Sequence, residues 1–119
     1  MNRVEREQLD LRVSATRAKL RIAFKSMRRQ GYAARANFMC CMGCATSALD
    51  IKGKKGGVYW HRQSDDHFKE DGELYIGFFV ENDTDDSKKV AEALVATLKA
   101  EGLWVEWNGS GDTKVMVKA

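Results

Sequence analysis

The 119-residue sequence contains no proline, three cysteines and two histidines. No apolar run approaches the roughly 20 residues that a helix needs to cross a bilayer, which excludes an integral membrane protein of that type. The composition also excludes a collagen-like or wholly disordered chain. The opening Met1-Asn2-Arg3-Val4-Glu5-Arg6-Glu7 carries charge where a secretory signal carries an apolar segment. Three cysteines are an odd number for a disulfide framework, so reduced thiols or a bound metal in a cytoplasmic protein are expected. No internal repeat is present. Lys52-Gly53-Lys54-Lys55-Gly56-Gly57 lacks the order of a phosphate-binding loop and is predicted to be a mobile basic turn.

Apolar residues make up 44% and charged residues 31%, a globular balance for one domain spanning 1–119. The net charge of +3 hides an asymmetry. Residues 1–36 hold ten Lys/Arg against Glu5, Glu7 and Asp10, a net of +7, and residues 37–119 carry −4. A basic arm on an acidic body suits an acidic protein surface or nucleic acid, although a solvated helix face produces the same count.

From Val4 to about Gln30 there is no glycine, and helix-favouring residues dominate. Leu9, Val13, Thr16, Leu20, Ala23 and Met27 recur at gaps of three and four, with Phe24 widening the stripe. Arg17, Arg21, Lys25 and Arg28 fall on a second, cationic side, the candidate partner-binding residues. Gly31 stops the helix. Packing onto the protein's own sheet is the default for the stripe, with a helix-mediated dimer as the lesser expectation.

The remainder predicts a short connection over 32–38, a cysteine-rich turn and brief helix over 37–50, and a ββαββ body over 57–119. Its strands are 58–61, 73–80, 103–107 and 113–117, with 62–72 a loop and a helix starting near Asp85. Val90, Ala91, Leu94, Val95 and Leu98 line that helix, and Gly102 ends it. Asn108–Asp112 reads as a hairpin turn. The expected fold is α+β in two layers: a long N-terminal helix and a second helix on a mostly antiparallel four-stranded sheet.

Cys41-Met42-Gly43-Cys44 is a C-x-x-C preceded by Cys40. Two thiolates at this spacing can hold one tetrahedral ion, with zinc the natural occupant, and Cys40 and His61 would complete four ligands. His67 is a weaker candidate. Buried reduced thiols are the competing expectation, and redox or nucleophilic chemistry by Cys41 with His61 ranks below both. His61, Asp65, Asp66 and His67 form a second polar cluster, read first as a solvated loop. Trp104 and Trp107 fall on opposite faces of one strand, one in the core and the other either edge cover or an interaction residue.

Three blocks resemble a family of uncharacterised bacterial proteins known only as a domain of unknown function. Asn37-Phe38-Met39-Cys40-Cys41-Met42-Gly43-Cys44 is similar to its F-x-C-C-x-x-C block. Gly57-Val58-Tyr59-Trp60-His61-Arg62-Gln63 is similar to its aromatic-His-x-Gln strand end. Gly102-Leu103-Trp104-Val105-Glu106-Trp107-Asn108-Gly109-Ser110 is similar to its G-L-x-V-x-W-(D/N)-G-S block. The pattern departs after Gln63, where Ser64 precedes Asp65 and Asp66. The resemblance supports the Cys/His cluster as a unit to test, and implies no activity.

No complete catalytic constellation can be read from these residues. A small binding or regulatory protein is therefore expected ahead of an enzyme. It would act on a protein or nucleoprotein partner, by analogy with bacterial or phage accessory proteins and inhibitors. The alternatives are a metal- or thiol-dependent enzyme at the Cys/His cluster and a nucleic-acid binder using the basic helix.

Overall fold

The computed structural model describes residues 2–36, 55–80, 85–110 and 113–119. The first element, α1, is a 27-residue helix from Arg3 to Arg29. Asn2 caps it by accepting the Glu5 backbone N–H at 2.9 Å, and Gly31 turns the chain away at φ +100. Its buried residues are Leu9, Val13, Thr16, Leu20, Ala23, Phe24 and Met27, the stripe predicted from spacing. That stripe packs against the helix Asp85–Ala100, the strand Ala33–Arg35 and the helix Arg62–Asp71.

Among the described residues, five strands form one mixed sheet: β1 (Ala33–Arg35), β2 (Gly57–Tyr59), β3 (Glu73–Phe79), β4 (Trp104–Glu106) and β5 (Val115–Lys118). Their order is β1-β2-β3-β5-β4, with β1–β2 parallel and the other three pairings antiparallel. The four-stranded expectation is corrected by β1, which falls in the predicted connection. Ala33-Ala34-Arg35 has no β-branched residue to announce a strand, and pairing with β2 makes it one.

The second correction is the predicted loop after β2, which is a ten-residue helix, α2 (Arg62–Asp71). Phe68 is its one apolar anchor and Gly72 closes it in the left-handed conformation at φ +80. Ser64 locks it to the sheet. Its hydroxyl donates to Tyr75 O at 2.9 Å and accepts from Tyr75 N at 3.2 Å, occupying a place on β3 beyond the end of β2. The third helix, α3 (Asp85–Ala100), packs on β2, β3 and β4. Leu74, Ile76, Val58, Val115 and Val117 of the sheet meet Val90, Ala91, Leu94 and Leu98 of α3 and the buried stripe of α1 in one core. Tyr59 belongs to the opposite side of the pleat. Its ring lies against Gly77, where an added Cβ would come within 2.6 Å.

Candidate functional site

Two regions gather chemistry: the start of α2 and the solvent side of α1. His61 is the N-cap of α2 and only 9% exposed. Its Nδ1 accepts the Ser64 backbone N–H at 3.1 Å, which satisfies one of the helix's free donors. Lys114 Nζ stands 3.4 Å from the other ring nitrogen, Nε2. Burial first, and the Lys114 charge second, push the imidazole below its ordinary value of 6.5. Burial also lowers the Lys114 ammonium. Immediately before His61 in the chain, the Trp60 indole N–H is buried without a hydrogen-bond partner among the described residues, and its ring packs 4.8 Å from Phe24 in the core.

One turn further along α2, Asp65 is buried at 2% exposure and meets Arg17 of α1 at 2.9 Å. The two groups face each other as charges, off the alignment of a hydrogen bond. Lys69 reaches the second carboxylate oxygen at 3.7 Å, and the Arg17 guanidinium lies 5.6 Å over Phe68. Arg6 donates to the backbone oxygens of Lys69 and Glu70, fastening the other end of α2 to α1. Asp65 is thus a structural counter-charge.

The other predicted ligands lie differently. Cys40, Cys41 and Cys44 fall outside the described residues, as does the brief helix expected after them. His61 is the only member of the four-ligand set described. The helix cap holds its Nδ1, so only Nε2 faces outward for a metal, and it faces Lys114. His67 is exposed, pairs with Asp71 at 2.9 Å and does not share the His61 site. Together with Glu73 these two place ligand atoms within 4.8 Å of one another. The His67–Asp71 contact is an ordinary helical pair, and Asp71 also accepts the Glu73 N–H in the turn.

The four cationic residues separate into two pairs. Arg17 is bound to Asp65, and Arg28 donates from Nε and Nη2 to Ala34 O at 3.0 and 2.8 Å, holding β1. Arg21 and Lys25 remain exposed and meet no acid or acceptor among the described residues. Arg12, Lys19 and Arg29, on the same helix, are exposed as well. Trp107 is the half-buried member of its pair, donating to Ser110 O at 2.9 Å. Trp104 is 54% exposed under the Lys118 ammonium. It borders an open cleft of about 450 Å³ that Lys19 and Thr16 also line.

Taken together, these features define a small mixed α+β protein whose long first helix presents cations to solvent. The chain belongs to a family described as a domain of unknown function (DUF6891), whose model matches residues 3–119. No curated protein and no solved structure matches it. Among the described residues, no helix is long and apolar enough to cross a membrane.

Proposed function

We infer that this is a binding or regulatory protein whose solvent-facing side of α1 docks on an acidic surface of a protein or nucleoprotein partner. The observation that carries the reading is the distribution of charge. Residues 11–36 contain eight Lys/Arg and no acid, and among the described residues Arg17 pairs with Asp65 while Arg21 and Lys25 stay exposed. Arg21 and Lys25 supply the contact, whereas Arg17 and Arg28 build the fold. Val4, Leu11 and Ile22 lie exposed on the same helix, which favours a protein surface over a bare phosphate backbone.

Affinity capture with the intact tagged chain tests the reading. Arg21→Glu with Lys25→Glu abolishes recovery of the partner that the wild type retains. Lys88→Glu with Lys99→Glu, the same charge change on α3, leaves it intact. Equal recovery by both variants refutes the proposal. Nuclease treatment that removes the captured material favours the nucleic-acid alternative.

A second reading, a zinc or thiol centre at Cys40, Cys41, Cys44 and His61, has one supporting observation. Trp60 N donates to Arg35 O at 3.3 Å, so the chain leaves β1 toward the cysteines beside the residue preceding His61. Such a centre would use the thiolates and Nε2 to grip the ion, with Lys114 turned aside. Elemental analysis of protein purified without chelator decides it: stoichiometric zinc that a Cys44→Ser variant loses supports the centre, and its absence removes the metal form.

A further inference from the structure

The cleft beside Trp104 draws its walls from three elements. Thr16 and Lys19 come from α1, Gly102 and Trp104 from the turn of α3 into β4, and Lys118 from the end of β5. Its volume of about 450 Å³ falls within the range of small-ligand sites. The sheet register sets Trp104 opposite Lys118, and the Lys118 ammonium stands 5.6 Å from the centre of the indole ring. Ring and cation therefore share one wall.

Lys19 arrives from the other side. Its Nζ lies 3.9 Å from where a Cβ on Gly102 would stand, at the carbonyl end of α3, which holds the ammonium in place. One turn before it, Thr16 is 8% exposed, and its hydroxyl has no hydrogen-bond partner among the described residues. Glu73 lies across the ladder from Lys118, and Glu101 precedes Gly102. Among the described residues, neither carboxylate nor any other forms an ion pair with the two lysines. The cleft thus offers two unneutralised cations, an unpartnered hydroxyl and an indole that is 54% exposed.

These groups specify their complement. Two ammoniums are matched by a phosphate monoester, which carries a charge of about −1.5 to −2 at neutral pH, better than by a single carboxylate. The exposed indole suits a flat ring that stacks on it. We propose that this cleft binds a nucleoside monophosphate, with the base on Trp104 and the phosphate between Lys19 and Lys118. None of these residues belongs to the partner contact inferred above, so the two readings fail separately. The sequence separates the basic helix from its aromatics, and the fold brings Trp104 back to Lys19.

Titration of the full chain with adenosine 5′-monophosphate, read by calorimetry and by the indole N–H resonances, tests this. The Trp104 signal shifts saturably, while that of the buried Trp60 stays in place. Adenosine and inorganic phosphate, each supplying half of the ligand, bind at least about tenfold more weakly. Trp104→Leu weakens binding about fivefold or more. Lys19→Gln and Lys118→Gln each weaken it about two- to fivefold, and added salt does the same. All three side chains are exposed, so the variants keep the wild-type circular dichroism. Lys88→Gln, near the other end of α3, leaves the affinity unchanged. Absence of saturable binding overturns the proposal, and so does binding that Trp104→Leu and Lys118→Gln both leave unchanged. A 5′-phosphorylated oligonucleotide that binds more than about tenfold tighter than the mononucleotide overturns the free nucleotide as occupant.

Discussion

Lys114 Nζ stands 3.4 Å from Nε2 of His61, on the side of the ring away from the helix cap. Because Nδ1 accepts the Ser64 N–H, a neutral ring carries its proton on Nε2, so two donors face each other. The fold therefore favours the neutral imidazole and lowers its pKa, by burial first and by the Lys114 charge second. A lowered folded value means that the unfolded chain takes up the proton first. Stability is full above the ordinary value of 6.5 and declines as pH falls from there toward the folded value. Lys114→Met should raise the His61 titration midpoint in an NMR series and reduce the loss of urea resistance between pH 7.5 and 5.5. An unmoved midpoint would show that the ammonium does not act on the ring.

Arg17 and Arg21 look alike in the sequence and differ in the structure. Arg17→Met strands the buried Asp65 carboxylate, an effect of about 3 kcal/mol, tempered by the partial exposure of the arginine and by Lys69. Arg21→Met, on exposed helix, should change stability by about 0.5 kcal/mol or less. Urea midpoints at neutral pH compare the two directly, and equal losses would contradict the assignment of Arg17 to the fold.

Gly77 is required by the Tyr59 ring rather than by its own backbone angles, since an added Cβ would lie 2.6 Å from the ring. Gly77→Ala should cost about 1–3 kcal/mol through overpacking. Adding Tyr59→Leu, which shortens the side chain, should recover part of that loss; a double variant with simply additive losses would place the strain elsewhere.

The long helices are legible because their apolar residues keep a 3.6-residue period and glycines mark their ends, as Leu9 to Met27 before Gly31 and Val90 to Leu98 before Gly102 show. The helix α2 is not. Phe68 is its only apolar residue, and its stability comes from partners distant in sequence: Tyr75 for Ser64, Arg17 for Asp65, and the backbone oxygens that hold Arg6. The strand β1 is hidden for the same reason, since Ala33-Ala34-Arg35 becomes a strand only beside β2. Periodicity placed Arg17, Arg21, Lys25 and Arg28 on one side of α1 but could not reveal that Asp65 and Ala34 O claim two of them. The role of His61 as a helix cap had one local signal, the Gly72 stop ten residues past the first turn's start, which polar composition masked.

Lysine acetylation footprinting of the captured complex against the free chain, read by mass spectrometry at dilution, tests the partner surface most directly. The account predicts that Lys25 loses reactivity several-fold in the complex while Lys88 and Lys99 of α3 react as before. Protection confined to Lys88 and Lys99, with Lys25 fully reactive, would contradict it.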